Sequence, residues 1–442
     1  MSGDLYSIGS AGLRSYRSQI STISQNISNS GSENYTRRNT PVQESFAAGS
    51  TQVLYRSFAN FAGSEAAGVY RVSDPLLDAK VRDTGAKLAN SNTHLRWMTD
   101  IETALKDDKT GVGSSIGNFY GMMDQLAANP TSQPLRNTAL YQLEQVTDAF
   151  KASSSSLNDM FTSTKASADS DATLVNDSLK QLQEINRGLL NSQDGTENKA
   201  MLEDSRDALL NTLSAKLNVS IEFGAKGNAT VSYGGAVLAD STSNATVAVT
   251  QAGNGALGLA VNGTAVTAPT GGSMGATVAA ATTTRARLDE LDALAVSFAN
   301  NINSWHAAGQ TDAGAPGADL ISGTSAATLA VTTSNPADLA VATSDGRTNG
   351  NLLDLSALRP THGTEKSWDA LISKQGNAVK SAKLDQASAA GLDEAARVER
   401  DKLSGVDLDR EAADLLRVQQ AYQASAKIIQ VAKDLIDTML NI

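Results

Sequence analysis

Gly113-Ser114-Ser115-Ile116-Gly117 has the G-x-S-x-G spacing of a nucleophile elbow. Such an elbow needs a strand leading into the Ser, a helix leaving it, and an acid and a His later in the chain. A helical pattern does follow Ser115, but Asp107–Thr110 before it is polar and turn-like, so the segment reads as a helix start capped by Ser. His94, His306 and His362 show no H-E-x-x-H or His-pair spacing, and neither a Walker A pattern nor a Rossmann fingerprint is present. Gly224-Ala225-Lys226-Gly227 reads as a hairpin turn. The carboxylate pairs Asp107/Asp108 and Asp407/Asp409 fall at helix boundaries, where acids favour the first turn. The sequence therefore predicts no catalytic residues, no cofactor and no metal site. A serine hydrolase built on Ser115 remains as the contrasting hypothesis.

Composition narrows the classes further. The 442 residues carry a net charge of −11, no Cys, three His and only 5% aromatics. Without Cys there is no disulfide framework, thiol nucleophile or thiolate zinc site. An acidic chain is a poor nucleic-acid partner, because phosphates are bound by clustered Lys and Arg. No apolar run approaches the ~20 residues of a membrane span. Met1–Arg14 lacks a basic segment followed by a continuous apolar one, so no cleaved signal peptide is expected.

The elements that must organise this chain are long helices. Leu13, Tyr16, Ile20, Ile23 and Ile27 are spaced 3-4-3-4, the seam of a coiled coil, on an otherwise polar stretch. Leu408, Leu415, Tyr422, Ile429 and Ile436 recur every seven residues, and Ala412, Val418, Ala426, Ala432, Met439 and Leu440 widen that stripe. Each seam is too narrow to bury itself, so the two terminal helices are expected to pair. The two ends are close to neutral, which leaves the negative charge on the body.

Between them, Asp74-Pro75 gives a cap and a Pro at the first helical position, starting a helix expected to reach Asp107. Further helices are predicted over 115–128, from Pro134 toward Leu189 (one helix or two, given Ser153–Ser156), and over 201–217. Residues 218–284 hold only three charges. Their short alternating runs, Thr230–Tyr233 and Thr246–Val249, with Gly234-Gly235 and Gly253-Asn254-Gly255, predict a β-rich insertion, although the composition also permits disorder. Helix is expected again from Arg285 to Trp305, then irregular chain to about Thr348 with a short strand near Thr328–Thr332, then helix over Trp368–Lys402. The expected fold is mainly α, elongated and multidomain. It has a terminal coiled-coil assembly domain (1–45 plus 400–442), a helical-bundle body (46–217 plus 285–399) and a small outer β domain (218–284).

The run Ser404-Gly405-Val406-Asp407-Leu408-Asp409, with Glu411-Ala412 and Gln420-Ala421-Tyr422-Gln423-Ala424, closely resembles the C-terminal motif of the FlgK family, the bacterial hook-associated proteins of the hook–filament junction. Gln25-Asn26-Ile27-Ser28-Asn29 followed by Tyr35-Thr36-Arg37 is similar to the family's N-N-I-[SA]-N…G-Y-[ST]-R segment. Here Ser32-Glu33-Asn34 replaces the usual Thr-Pro-Gly, and Asn34 is a residue type that tolerates the left-handed turn. Leu202–Leu210, Phe298–His306 and Asn349–Leu353 resemble interior segments of the family.

The resemblance implies a structural role without catalysis. It implies a chain exported unfolded through the flagellar type III apparatus, without a cleaved signal peptide, that polymerises at the distal end of the hook. Its partners would be further copies of itself, the hook protein, the second junction protein, and an export chaperone holding the Leu415–Ile436 face. Zero Cys suits passage through a narrow channel. Its terminal regions would be disordered alone and fold on assembly, consistent with seams too narrow to offset ordering entropy. The chain is short for that family, so one small outer domain is expected. The competing reading within the same class is another axial subunit. Hook and rod proteins would have a β-rich body, and a flagellin would not be expected to carry the Gln420–Ala424 motif.

Overall fold

The computed structural model describes residues 2–32, 34–46, 61–105, 108–253 and 255–440. Glu33, Asp107 and Asn254 lie outside the described residues, as do the side chains of His362, Met439 and Leu440.

Helix α1 spans Ser2–Asn29. Four strands follow, β1 (Arg38–Asn39), β2 (Val42–Phe46), β3 (Phe61–Ala66) and β4 (Tyr70–Arg71), paired antiparallel as β1–β4 and β2–β3. Then come α2 (Pro75–Leu105), α3 (Val112–Ala128), α4 (Gln133–Asn191) and α5 (Glu197–Lys216). Two three-stranded antiparallel sheets follow. The first holds β5 (Ser220–Phe223), β6 (Ala229–Tyr233) and β7 (Ala236–Ala239). The second holds β8 (Val247–Gln251), β9 (Leu257–Val261) and β10 (Thr264–Val266). The chain continues through α6 (Gly272–Ala308), the short pair β11 (Ile321–Ser322) and β12 (Ala330–Val331), α7 (Gly350–His362), α8 (Thr364–Ser404) and α9 (Leu408–Leu440).

Two compact units divide these elements. The first comprises residues 1–86, 175–246 and 390–442; the second comprises 87–174 and 247–389. In the first, Asn186 on α4 clamps the middle strand of its sheet. Its Nδ2 donates to Ala229 O at 2.7 Å and its Oδ1 accepts from Ala229 N at 2.8 Å. Leu210, Leu213, Val231 and Leu238 are buried there. In the second unit the core joins α2, α3, α4, α6 and α8 around Trp97, Phe119, Phe150, Phe298, Trp305 and Trp368.

Local chemistry explains the boundaries. Leu76 N takes the cap of Asp74 Oδ1 at 2.8 Å, as the Asp-Pro start predicts. The Ser-rich stretch does not break α4, because Ser156 and Asn158 return their side chains to carbonyls four residues back. Ser153 and Ser154 are buried in the same helix.

Helix α6 starts at Gly272, thirteen residues before the expected Arg285. Gly272–Val278 is buried on all sides, so it carries none of the amphipathic period that marks a surface helix. The helix expected from Trp368 is preceded by α7, and the two are separated by Gly363 in the left-handed region at φ 67°. The β-rich stretch is two sheets that belong to different units rather than one cluster of strands.

Ser115 lies inside the first turns of α3 and is buried; the cap position belongs to Gly111. The preceding element is α2, so the strand–Ser–helix turn of a nucleophile elbow is not formed. Among the described residues there is no cluster of three or more His, Asp or Glu positioned to hold a metal. No described helix is long and apolar enough to cross a membrane.

Candidate assembly interface

The terminal helices pair antiparallel within the first unit. Gly9 lies against Ile429, Gly12 against Ser425 and Asn26 against Glu411. A Cβ built on Gly9 would sit 2.7 Å from Ile429 Cγ1, and one on Gly12 would sit 2.9 Å from Ser425 Oγ. Both glycines therefore set how closely the helices approach. On α9 the buried residues are Glu411, Val418, Ser425 and Ala432, spaced every seven. On α1 they include Ala11, Ser15, Thr22 and Asn26.

The large residues read as the seam flank this small-residue line. Leu13, Tyr16, Ile20, Ile23 and Ile27 are half-buried, as are Leu415 and Ile429, with Ile436 alike. Leu408 and Tyr422 are exposed, as are Ala412 and Ala426. The heptad period of α9 is thus real; its fully buried line lies three residues after the Leu408 series, and Ile429 of that series meets α1 at Gly9. Outside that line apolar side chains of α9 stay exposed: Leu408 is 52% exposed, Leu416 62% and Val431 50%, and Leu435 is exposed too.

Strand β3 covers α1 from another side. Ser15 Oγ donates to Ser64 O at 2.9 Å, and Thr22 and Thr40 share a buried hydroxyl bond of 2.8 Å.

The motif residues meet at the far end of the helix pair. Asn26 Oδ1 accepts from Tyr35 OH at 2.8 Å and from Arg38 N at 3.0 Å. Its Nδ2 donates to Arg38 O at 2.9 Å and to Glu411 Oε2 at 3.0 Å. Burial pushes the Tyr35 phenol up to about 12, with the Arg38 cation partly opposing, so Tyr35 remains a donor to Asn26. Arg37 Nη1 lies 3.5 Å from Glu411 Oε1, and Arg37 N donates to Ser404 O at 2.9 Å.

Asp407 caps α9 through Asp409 N at 3.0 Å and Arg410 N at 3.3 Å. A Cβ at Gly405 would sit 2.4 Å from Asp401 O, which explains a glycine at this joint. The Asn29 side chain donates within its own helix, to Gln25 O. Asn34 follows Glu33, which lies outside the described residues; Tyr35 N donates to Ser32 O at 3.1 Å and closes that turn. Gln420 and Ala424 are exposed and Ala421 is half-buried.

A charged layer continues from this node to α5. Arg38 Nη2 donates to Asp204 Oδ2 at 2.9 Å, and its guanidinium stacks 4.9 Å from the Tyr35 ring. Arg71 Nη2 donates to Asp207 Oδ2 at 2.7 Å, and its Nε lies 2.7 Å from Asp204 Oδ1. A cavity of about 50 Å³ lies among Tyr35, Arg71, Asp78, Asp204 and Ser404, room for a few waters. Sequence reasoning singled out Asn26, Tyr35, Arg37 and Glu411 but assigned no role to Arg38, Arg71, Asp204 and Asp207. Their only signal was Leu202–Leu210, which contains both acids. Gly9 and Gly12 also went unmarked, because an apolar stripe is searched for by its large residues.

A helical chain with paired terminal helices and a polar lock at their base is a structural scaffold, and the comparisons agree on the class. Residues 98–321 match the family described as flagellar hook-associated protein FlgK helical domain, and residues 401–442 match flagellar basal body rod FlgEFG protein C-terminal. The chain belongs to the FlgK family of flagellar hook-associated structural proteins. It is 22% identical to flagellar hook-associated protein 1 of Bacillus subtilis, over 97% of this chain and 96% of that one. It is also 22% identical to the protein of the same name from Salmonella typhimurium, over 98% of each. The flagellar hook junction protein FlgK from Burkholderia pseudomallei has the same fold, with a TM-score of 0.65 and 13% identity, covering 71% of this chain and 98% of that one.

Proposed function

We propose that this protein is the adaptor that polymerises at the distal end of the flagellar hook and joins hook to filament. The observation that carries this reading is the set of apolar side chains that α9 leaves exposed beside its contact with α1. Leu408, Leu416, Val431 and Leu435 stay exposed on α9, outside the buried line Glu411, Val418, Ser425 and Ala432 along which it packs on α1. Such a surface is stable in water only when neighbours cover it, and further copies in a layer supply them. Residues 1–45 and 400–442 form the assembly domain in this reading.

The hook protein lies on one side of the layer and the second junction protein on the other. Before assembly the chain is exported unfolded through the type III apparatus, and a chaperone holds the Leu415–Ile436 face. No catalytic step belongs to this role, and Ser115 serves only the start of α3.

A second reading, another axial subunit, draws on the match of residues 401–442 to the rod-protein C-terminal family. The long helices α2 to α6 speak for the adaptor instead, because a hook or rod subunit would place a β-rich body there. Deletion of residues 408–442 tests the choice. The adaptor reading expects intact hooks without filaments and filament subunits lost to the medium. Normal filaments would reject it, and absent hooks would favour the second reading.

A further inference from the structure

The line of α9 that faces α1 is periodic and nearly featureless. Val418, Ser425 and Ala432 follow each other at seven-residue intervals, and all are small or medium in size. A slip of one heptad, about 10.5 Å at ~1.5 Å per residue, would bring Ala432 opposite Gly12 in place of Ser425. Packing alone discriminates weakly between these registers, because a small residue meets a glycine in both.

The exception to the pattern is polar. Asn26 and Glu411 are 1% and 2% exposed, and their bond is the contact by which α1 and α9 recognise each other through side-chain polarity. Asn26 spends its full capacity at this point: two acceptor sites on Oδ1 and two donors on Nδ2. In the slipped register Val418 would face Asn26. One buried amide N–H would then lose its acceptor, and Arg37 would lose the carboxylate beside it. A buried polar pair of this kind selects one alignment out of several that packing permits.

We infer that Asn26 and Glu411 fix the register in which α9 pairs with α1, and so determine which residues of α9 are presented outward. This goes beyond the adaptor role and stands whether or not that role is correct. The Gly405–Asp407 link also opposes slipping, since the first turns of α9 would have to unwind to supply slack. That restraint is the same in every variant below, so ratios isolate the contribution of the pair.

The test uses disulfide trapping, for which a chain without Cys is well suited. A Cβ at Gly12 lies 3.5 Å from Ser425 Cβ, within disulfide range. Full-length chain carrying Gly12→Cys with Ser425→Cys reports the observed register, and Gly12→Cys with Ala432→Cys reports the slipped one. Oxidation is run dilute under conditions in which circular dichroism shows the terminal helices formed, and intramolecular products are read by gel and mass spectrometry. In the otherwise unsubstituted chain the first pair closes and the second does not.

Adding Glu411→Leu is expected to raise the slipped-to-observed ratio at least tenfold. Glu411→Gln, which keeps an acceptor for Asn26, holds the ratio near its starting value. Slipped product in the unsubstituted chain, or Leu and Gln variants that behave alike, whether both hold the register or both lose helix, would overturn the inference.

Discussion

Gly9 on α1 lies against Ile429 on α9, so close that an added methyl would come within 2.7 Å of Ile429 Cγ1 and 3.4 Å of Ser425 O. The two helices therefore meet backbone to side chain, with no layer of large residues between them. Overpacking such a contact costs about 1–3 kcal/mol, because neither helix can move without opening the rest of the seam. Gly9→Val should lower the thermal midpoint at which the terminal helices unfold, and Ser7→Ala, two residues away on an exposed position, should not. Circular dichroism and limited proteolysis of the termini check this.

Arg71 faces two carboxylates, Asp204 and Asp207, and all three side chains are at least mostly buried. Removing the cation leaves Asp204 with Arg38 and Asp207 with Arg206, but strips the charge that bridges the two acids. Loss of one partner from a buried ion pair costs about 3–5 kcal/mol. Arg71→Met should destabilise by an amount of that order. Arg71→Lys should recover only part of it, since a single ammonium cannot reach both carboxylates as the planar guanidinium does. Urea unfolding of the two variants measures the difference.

His306 is buried and neutral by construction. Its Nδ1 lies 2.6 Å from Ala318 O, and its Nε2 accepts from Ala340 N at 2.9 Å. Burial holds its pKa below the ordinary 6.5, despite the Ala318 bond that favours the charged form. In the window between 6.5 and that lower value the unfolded chain binds the extra proton and the folded chain does not, so stability rises with pH there. The second unit should lose stability as pH falls from about 6.5. His306→Gln should flatten that part of the profile, measured as thermal midpoint from pH 8 to pH 5.

Asp78 behaves in the opposite sense. Burial, helped by Asp207 nearby, raises its carboxyl above the usual 3.8 in spite of Arg71 and Arg82. The folded chain then holds the proton longer than the unfolded one, and stability falls as pH rises through that window. Asp78→Asn should therefore stabilise the protein at pH 7 and have little effect at pH 4. A variant less stable at pH 7 would show that the Arg contacts outweigh burial.

The long helices were legible because amphipathic periods and caps leave marks in sequence. Asp74-Pro75 located the start of α2, and the seven-residue repeat located α9. The start of α6 was not legible, since a helix buried on every side between Gly272 and Val278 has no polar face to count against. The terminal pairing was readable in kind but not in register. Large residues dominated the pattern, while the buried line is Glu411, Val418, Ser425 and Ala432. The polar node was half visible. Asn26, Tyr35, Arg37 and Glu411 belonged to segments that resemble a family, yet bonds spanning 385 residues of chain, such as Asn26 to Glu411, leave no local spacing to detect.

In the proposed role the protein sits in one layer between hook and filament. Isolated hook–filament structures labelled for this protein and viewed by electron microscopy test it most directly. A single thin band of label is expected at the boundary between hook and filament, lost when Leu415 and Ile429 are both replaced by Asp. Label spread along the hook, rod or filament would contradict it.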